Sequence, residues 1–141
     1  NWHRDPEDRK ICKIFLYLND VNENTGPFTY VMNSHYHGEF GSVFPQKPPK
    51  GYYPFKDGKK LEDAIPESNI RPVTGKAGTL IFCDTAGLHK GGYAISGERL
   101  MFTGGFCSNS SFWPPRFDCS LELYKVLSED EILKYSLTKK K

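Results

Sequence analysis

A mainly β fold, either a sandwich or a double-sheet jelly roll, is what this 141-residue chain predicts, and three observations carry it. The apolar residues come in short runs. Ten prolines and thirteen glycines punctuate them. The strongest run, "ICKIFLYL" over 11–18, resolves at a period of two into a Cys12, Ile14, Leu16, Leu18 face and an Ile11, Lys13, Phe15, Tyr17 face. Several short strands separated by turn signals are the pattern of such folds.

The elements follow in order. After the 11–18 strand, "NDVNENTGP" is dense in turn formers. "FTYVM" over 28–32 is a second strand. Residues 33–69 read as a long loop with "PQKPPKGYYP" in its middle and a short helix near "KKLEDAI". Loops of that length are often functional lids. "GTLIFCD" (78–84) and "ERLMFTGGF" (98–106) are further strands, and "SLELYKV" is expected as a short one. "SEDEILKYSL" carries Ser128 as N-cap and Glu131 three residues on, a capping box that opens a short C-terminal helix. Gly78 and Gly87 read as turn glycines. The aromatics of "KGYYPFKDGKK" read as loop anchors, with a substrate entrance as the alternative, and Trp113 in "SFWPPRF" marks a rigid turn.

Composition bounds the function. At 38% hydrophobic and 26% charged the chain is an ordinary globular domain, and a net charge of +2 points to neither nucleic acid nor a membrane surface. No apolar run approaches the ~20 residues of a membrane span, and no secretory leader is visible. Lys139, Lys140 and Lys141 read as a solvated tail. Cys12, Cys83, Cys107 and Cys119 form no C-x-x-C pair, which argues against a zinc ribbon or a thioredoxin motif. They are expected as reduced thiols of a cytoplasmic protein, with Cys12 and Cys83 as small buried hydrophobes. The opening residues read as the inside of a domain. The expectation is therefore one domain over 1–141 that lacks its N-terminal part, with a core at 2–106 and a C-terminal extension over 107–141.

The chemistry lies in a pattern of histidines. His3 and Asp5, at i and i+2 on an extended chain, share a face. His89 follows 84 residues after Asp5, just past the 78–84 strand, and Arg99 comes ten residues later. Taken singly, His3 and Asp5 are a hydrogen-bonded surface pair, His89 caps a turn, and Arg99 forms an ion pair with Asp84 or Glu98. Taken together, two imidazoles and a carboxylate are the facial triad of a non-haem Fe(II) oxygenase. That triad leaves positions open for a chelating 2-oxo acid and dioxygen. An arginine near the distal histidine suits the far carboxylate of that acid. A second group, His35, His37 and Glu39, offers a cupin-type metal set if all three share a strand face.

"WHRD" at 2–5, "FLYLNDVNENTGPFTYVMNSH" at 15–35 and "GKAGTLIFCDTAGLH" at 75–89, followed by Arg99, resemble the phytanoyl-CoA dioxygenase family of Fe(II)- and 2-oxoglutarate-dependent oxygenases. The resemblance covers 2–106. It implies a double-stranded β-helix (jelly-roll, cupin-like) core with iron on His3, Asp5 and His89. It also implies 2-oxoglutarate on Arg99, with Lys13 contributing from the strand after the metal motif. The implied activity is hydroxylation of a small organic substrate by O2 with release of succinate and CO2. Asp5 favours hydroxylation, because the related halogenases have a small residue there. The alternatives are a non-catalytic relative that binds a small molecule and the cupin-type enzyme. Ser34 and His35 are expected to orient the loop over the pocket or to close a turn, and Trp2 to pack beside the metal strand.

Overall fold

The computed structural model describes residues 1–46, 61–108, 110–111 and 117–139. Strands β1 (Ile11–Tyr17), β2 (Phe28–Val31), β3 (Ile70–Val73), β4 (Leu80–Asp84), β5 (His89–Gly91) and β6 (Met101–Cys107) form two antiparallel three-stranded sheets. One is ordered β4-β1-β6 and the other β3-β2-β5. The chain is thus mainly β, in an arrangement consistent with a sandwich. The "KGYYPFKDGKK" aromatics and Trp113 lie outside the described residues.

The strand period decides what each sheet buries. Ile11, Phe15 and Tyr17 of β1 are buried, with Lys13 half-buried among them. Phe15 and Cys83 from one sheet meet Phe28 from the other, with Tyr30, Val73, Ile81 and Met101 around them. The Phe15 and Phe28 rings lie 4.6 Å apart. The Tyr17 hydroxyl donates to the Val73 carbonyl at 2.7 Å and accepts from the Phe28 N–H at 3.3 Å, which ties the two sheets together.

The outer faces differ. Val31 and Leu88 point away from that core into a second cluster with Phe40, Phe44, Leu61 and Ile65, so the described parts of the long loop cover the β3-β2-β5 sheet. The helix expected near 59–65 is a single 3-10 turn, Leu61–Asp63. On the other sheet the register aligns Leu80, Leu16 and Phe102 in one row and Phe82, Ile14 and Gly104 in the next. Phe82 is 65% and Phe102 58% exposed, so this outer face has no cover among the described residues. Cys12 lies on it and is exposed, contrary to the expectation of burial, because it is out of phase with the buried Ile11, Phe15 and Tyr17. Cys83 is buried, and none of the four cysteines is in a disulfide.

Two turns need glycine. Gly26 closes a 3-10 turn (Glu23–Thr25) at φ 73°, and a Cβ there would sit 2.6 Å from the Gly92 carbonyl oxygen. A Cβ on Gly87 would sit 1.9 Å from the Tyr30 hydroxyl, so this glycine serves a close approach.

The C-terminal segment departs from expectation. "SLELYKV" is helix α1 (Leu121–Leu127), not a strand, because the Ser120 hydroxyl caps it by accepting the Leu123 N–H at 3.3 Å. Helix α2 (Glu131–Ser136) is present, but Ser128 does not open it. Ser128 closes α1, its N–H bonded to the Tyr124 carbonyl, and Asp130 takes the capping role by accepting the Leu133 N–H at 3.0 Å. Strands β7 (Phe117–Cys119) and β8 (Leu137–Lys139) pair in parallel around the helices. Among the described residues no helix is long and apolar enough to cross a membrane.

Candidate metal centre

Residues 3–5 run antiparallel to the segment that enters β5. His3 and His89 donate their backbone N–H groups to each other's carbonyls at 2.9 Å, and the Asp5 N–H donates to the Thr85 carbonyl at 2.9 Å. This pairing sets the two imidazoles side by side, ring centroids 4.3 Å apart. Alternation then puts Asp5 on the face of His3. Its carboxylate lies 3.8 Å from His3 Nε2 and 3.7 Å from His89 Nε2. The ligand atoms of the three residues fall within 4.8 Å of one another, the only such group of three among the described residues.

Both imidazoles are turned the same way. His3 Nδ1 bonds the Asn1 carbonyl at 3.0 Å and His89 Nδ1 bonds the Gly87 carbonyl at 2.9 Å. A ring whose Nδ1–H is held by a carbonyl presents the lone pair of Nε2, as a metal ligand must. Burial holds the His89 imidazole below its ordinary pKa, against the raising effect of the Gly87 bond, so the neutral ring is favoured. Burial alone would raise the Asp5 carboxyl. The Lys13 and Thr85 side chains and the nearby His89 outweigh it and hold Asp5 below the usual carboxylate range. Asp5 Oδ2 is fully buried with no well-directed hydrogen bond; the Lys13 ammonium lies 2.5 Å from it and His89 Nε2 3.7 Å from it. A buried carboxylate oxygen facing two imidazole Nε2 atoms is a donor set that fits a divalent cation.

Arg99 lies just before β6, not at its start. Its guanidinium donates to the Gly26 carbonyl and packs over Gly91, two residues along the β5 face from His89. It forms an ion pair with neither Asp84 nor Glu98, and no carboxylate among the described residues takes their place. Phe28 bridges the two positions: it lies opposite Gly91, and its ring is 5.6 Å from the His89 ring. Lys13 faces Asp5 at the metal end of β1, whereas Tyr17, whose phenol burial holds above its ordinary pKa, lies at the Arg99 end.

The cupin-type set does not form. His35, His37 and Glu39 are exposed in consecutive turns, where the Gly38 N–H bonds the His35 carbonyl, so no strand aligns them. Ser34 is fully buried, its hydroxyl donating to the Val31 carbonyl and accepting the Leu88 N–H next to His89. Trp2 packs against the second cluster with the Lys90 ammonium over its ring. Sequence reasoning missed Thr85 and Tyr30 around the cluster, and it read Gly87 only as a turn glycine. The one advance signal was "DTAGLH", where small residues precede the histidine.

The model of the phytanoyl-CoA dioxygenase (PhyH) family matches residues 1–100, and the chain belongs to that family. It is a family of dioxygenases, and the matched span holds His3, Asp5, His89 and Arg99. The chain has no match among curated proteins.

Proposed function

We propose that the chain is an Fe(II)- and 2-oxoglutarate-dependent dioxygenase that hydroxylates a small organic substrate and releases succinate and CO2. The two sheets are then the walls of a double-stranded β-helix. The observation that carries this reading is the matched orientation of His3 and His89, each with Nδ1 on a backbone carbonyl and Nε2 toward Asp5.

Bound iron with 2-oxoglutarate supplies the oxidising power for C–H hydroxylation. The chain's residues do the rest. His3, Asp5 and His89 offer three ligand atoms on one side and leave the other side open. Arg99 holds the far carboxylate of the 2-oxo acid through its planar fork. Lys13 adds a second positive charge at the metal end of the pocket. Phe28 and Tyr30 line the space between them and exclude water.

Anaerobic addition of Fe(II) and then 2-oxoglutarate to the purified chain tests this. A weak visible charge-transfer band that needs both additions is expected. It should vanish in His3→Ala and His89→Ala, and Arg99→Ala should need far more 2-oxoglutarate. A folded protein that gives no band overturns the proposal. A band without succinate release in air leaves a binding relative rather than an enzyme.

A further inference from the structure

Arg4 stands between the two proximal ligands and points the other way. Alternation sends His3 and Asp5 to one side of the strand and Arg4 to the opposite side. There it is 5% exposed, and no carboxylate among the described residues pairs with it. Its guanidinium donates instead to four backbone carbonyls: Ser34, Phe40, Phe44 and Ala86. Burying a cation in this way is unfavourable unless its donors are hydrogen-bonded, and four of its five N–H groups have acceptors here. Desolvation lowers the Arg4 pKa, as such a site should.

The four carbonyls belong to separate pieces of the site's support. Ser34 follows β2 and holds the Leu88 N–H. Phe40 and Phe44 belong to the loop that covers the second sheet. Ala86 precedes Gly87, whose carbonyl orients His89. The Gln46 side chain fastens the same loop to the Asp5 carbonyl at 2.6 Å. The described part of the long loop therefore backs residues 3–5 on their Arg4 side.

We propose that Arg4 is a positioning residue that holds the His3–Asp5 strand and the turn before His89 at the spacing a metal ion needs. This rests on the metal-site reading above. A planar guanidinium spans four acceptors in fixed directions, whereas an ammonium has three freely rotating donors at one point. Charge alone is therefore not enough.

Mn2+ affinity, read from the electron paramagnetic resonance signal of the free ion, tests this in wild type, Arg4→Lys, Arg4→Ala, His89→Ala and Ile65→Ala. Ile65→Ala loosens the same cluster without touching the carbonyls. Measurements are made at a temperature where circular dichroism shows each variant folded. Arg4→Lys and Arg4→Ala should lose about 10–100-fold in affinity, Ile65→Ala should lose much less, and ethylguanidinium should restore binding to Arg4→Ala. If Arg4→Ala does not fold, Arg4→Lys against Ile65→Ala decides. Arg4 variants that bind Mn2+ like wild type, or lose no more than Ile65→Ala, overturn the role of Arg4 and leave the metal site standing. Wild type that binds no better than His89→Ala overturns the site itself, and the role of Arg4 with it.

Discussion

Gly87 shows how much one missing side chain decides. Its carbonyl holds His89 Nδ1, and the Tyr30 hydroxyl, which bonds the Asp84 carbonyl at 3.0 Å, occupies the place a Cβ would take. Gly87→Ala must push Tyr30 or the turn aside, and either movement swings His89. We expect this variant to stay folded, to lose stability by about 1–3 kcal/mol, and to bind Mn2+ more weakly than wild type; urea melts and a metal titration check both. Asp8 illustrates a purely structural carboxylate. It accepts from the Arg9 and Lys10 N–H groups and from both the N–H and hydroxyl of Ser108, which anchors the residue after β6 to the segment that leads from Asp5 into β1. The Ser108 hydroxyl bond is the main reason its carboxyl lies below the usual range. A carboxyl whose folded pKa is depressed stabilises the fold above its unfolded pKa of about 3.9, and that contribution disappears as pH falls through the folded value. Asp8→Asn should therefore cost about 1–2 kcal/mol at pH 7, and the gap to wild type should close in acid; denaturant melts at neutral and acid pH measure it.

At the scale of elements, β1 has two apolar faces with opposite fates. The Phe15 and Tyr17 face meets the second sheet, while the half-buried Ile14 and Leu16 share their face with the exposed Phe82, Phe102 and Phe106. Substitutions on the two sides should differ sharply. Phe28→Ala removes a ring from between the sheets and should cost about 3–5 kcal/mol. Phe82→Ser removes a ring that is already in water and should change stability by about 0.5 kcal/mol at most. Thermal melts of the two variants compare them directly. The helices show the same dependence on surroundings: "SLELYKV" alternates enough to read as a strand, yet the Ser120 cap starts a helix.

At the scale of the whole molecule, the cluster joins the opening residues to the start of β5. A divalent ion that binds only the folded chain stabilises it by mass action, about 2.7 kcal/mol at a hundred times its Kd. Mn2+ should therefore raise the melting temperature of wild type, a chelator should reverse the shift, and His89→Ala should show none. A scan with and without the ion checks this, and an equal shift in His89→Ala would place the ion elsewhere.

Several features were legible in the residues themselves. Strand periodicity marked β1, β2, β4 and β6 to within a few residues, because alternation is a local property of the chain. The residue types of the His3, Asp5 and His89 cluster, their order and the shared face of His3 and Asp5 could be read from the chain as well. Periodicity names two faces but not which one is covered, and so Cys12 was misassigned and the open side of β1 went unseen. The cage around Arg4, the meeting of Lys13 with Asp5 and the packing of Arg99 on Gly91 join groups far apart in the chain. Only the folded backbone brings these together. The pairing of His3 with His89 belongs to the same class: two reciprocal backbone hydrogen bonds across 86 residues align the imidazoles, and no local pattern encodes them.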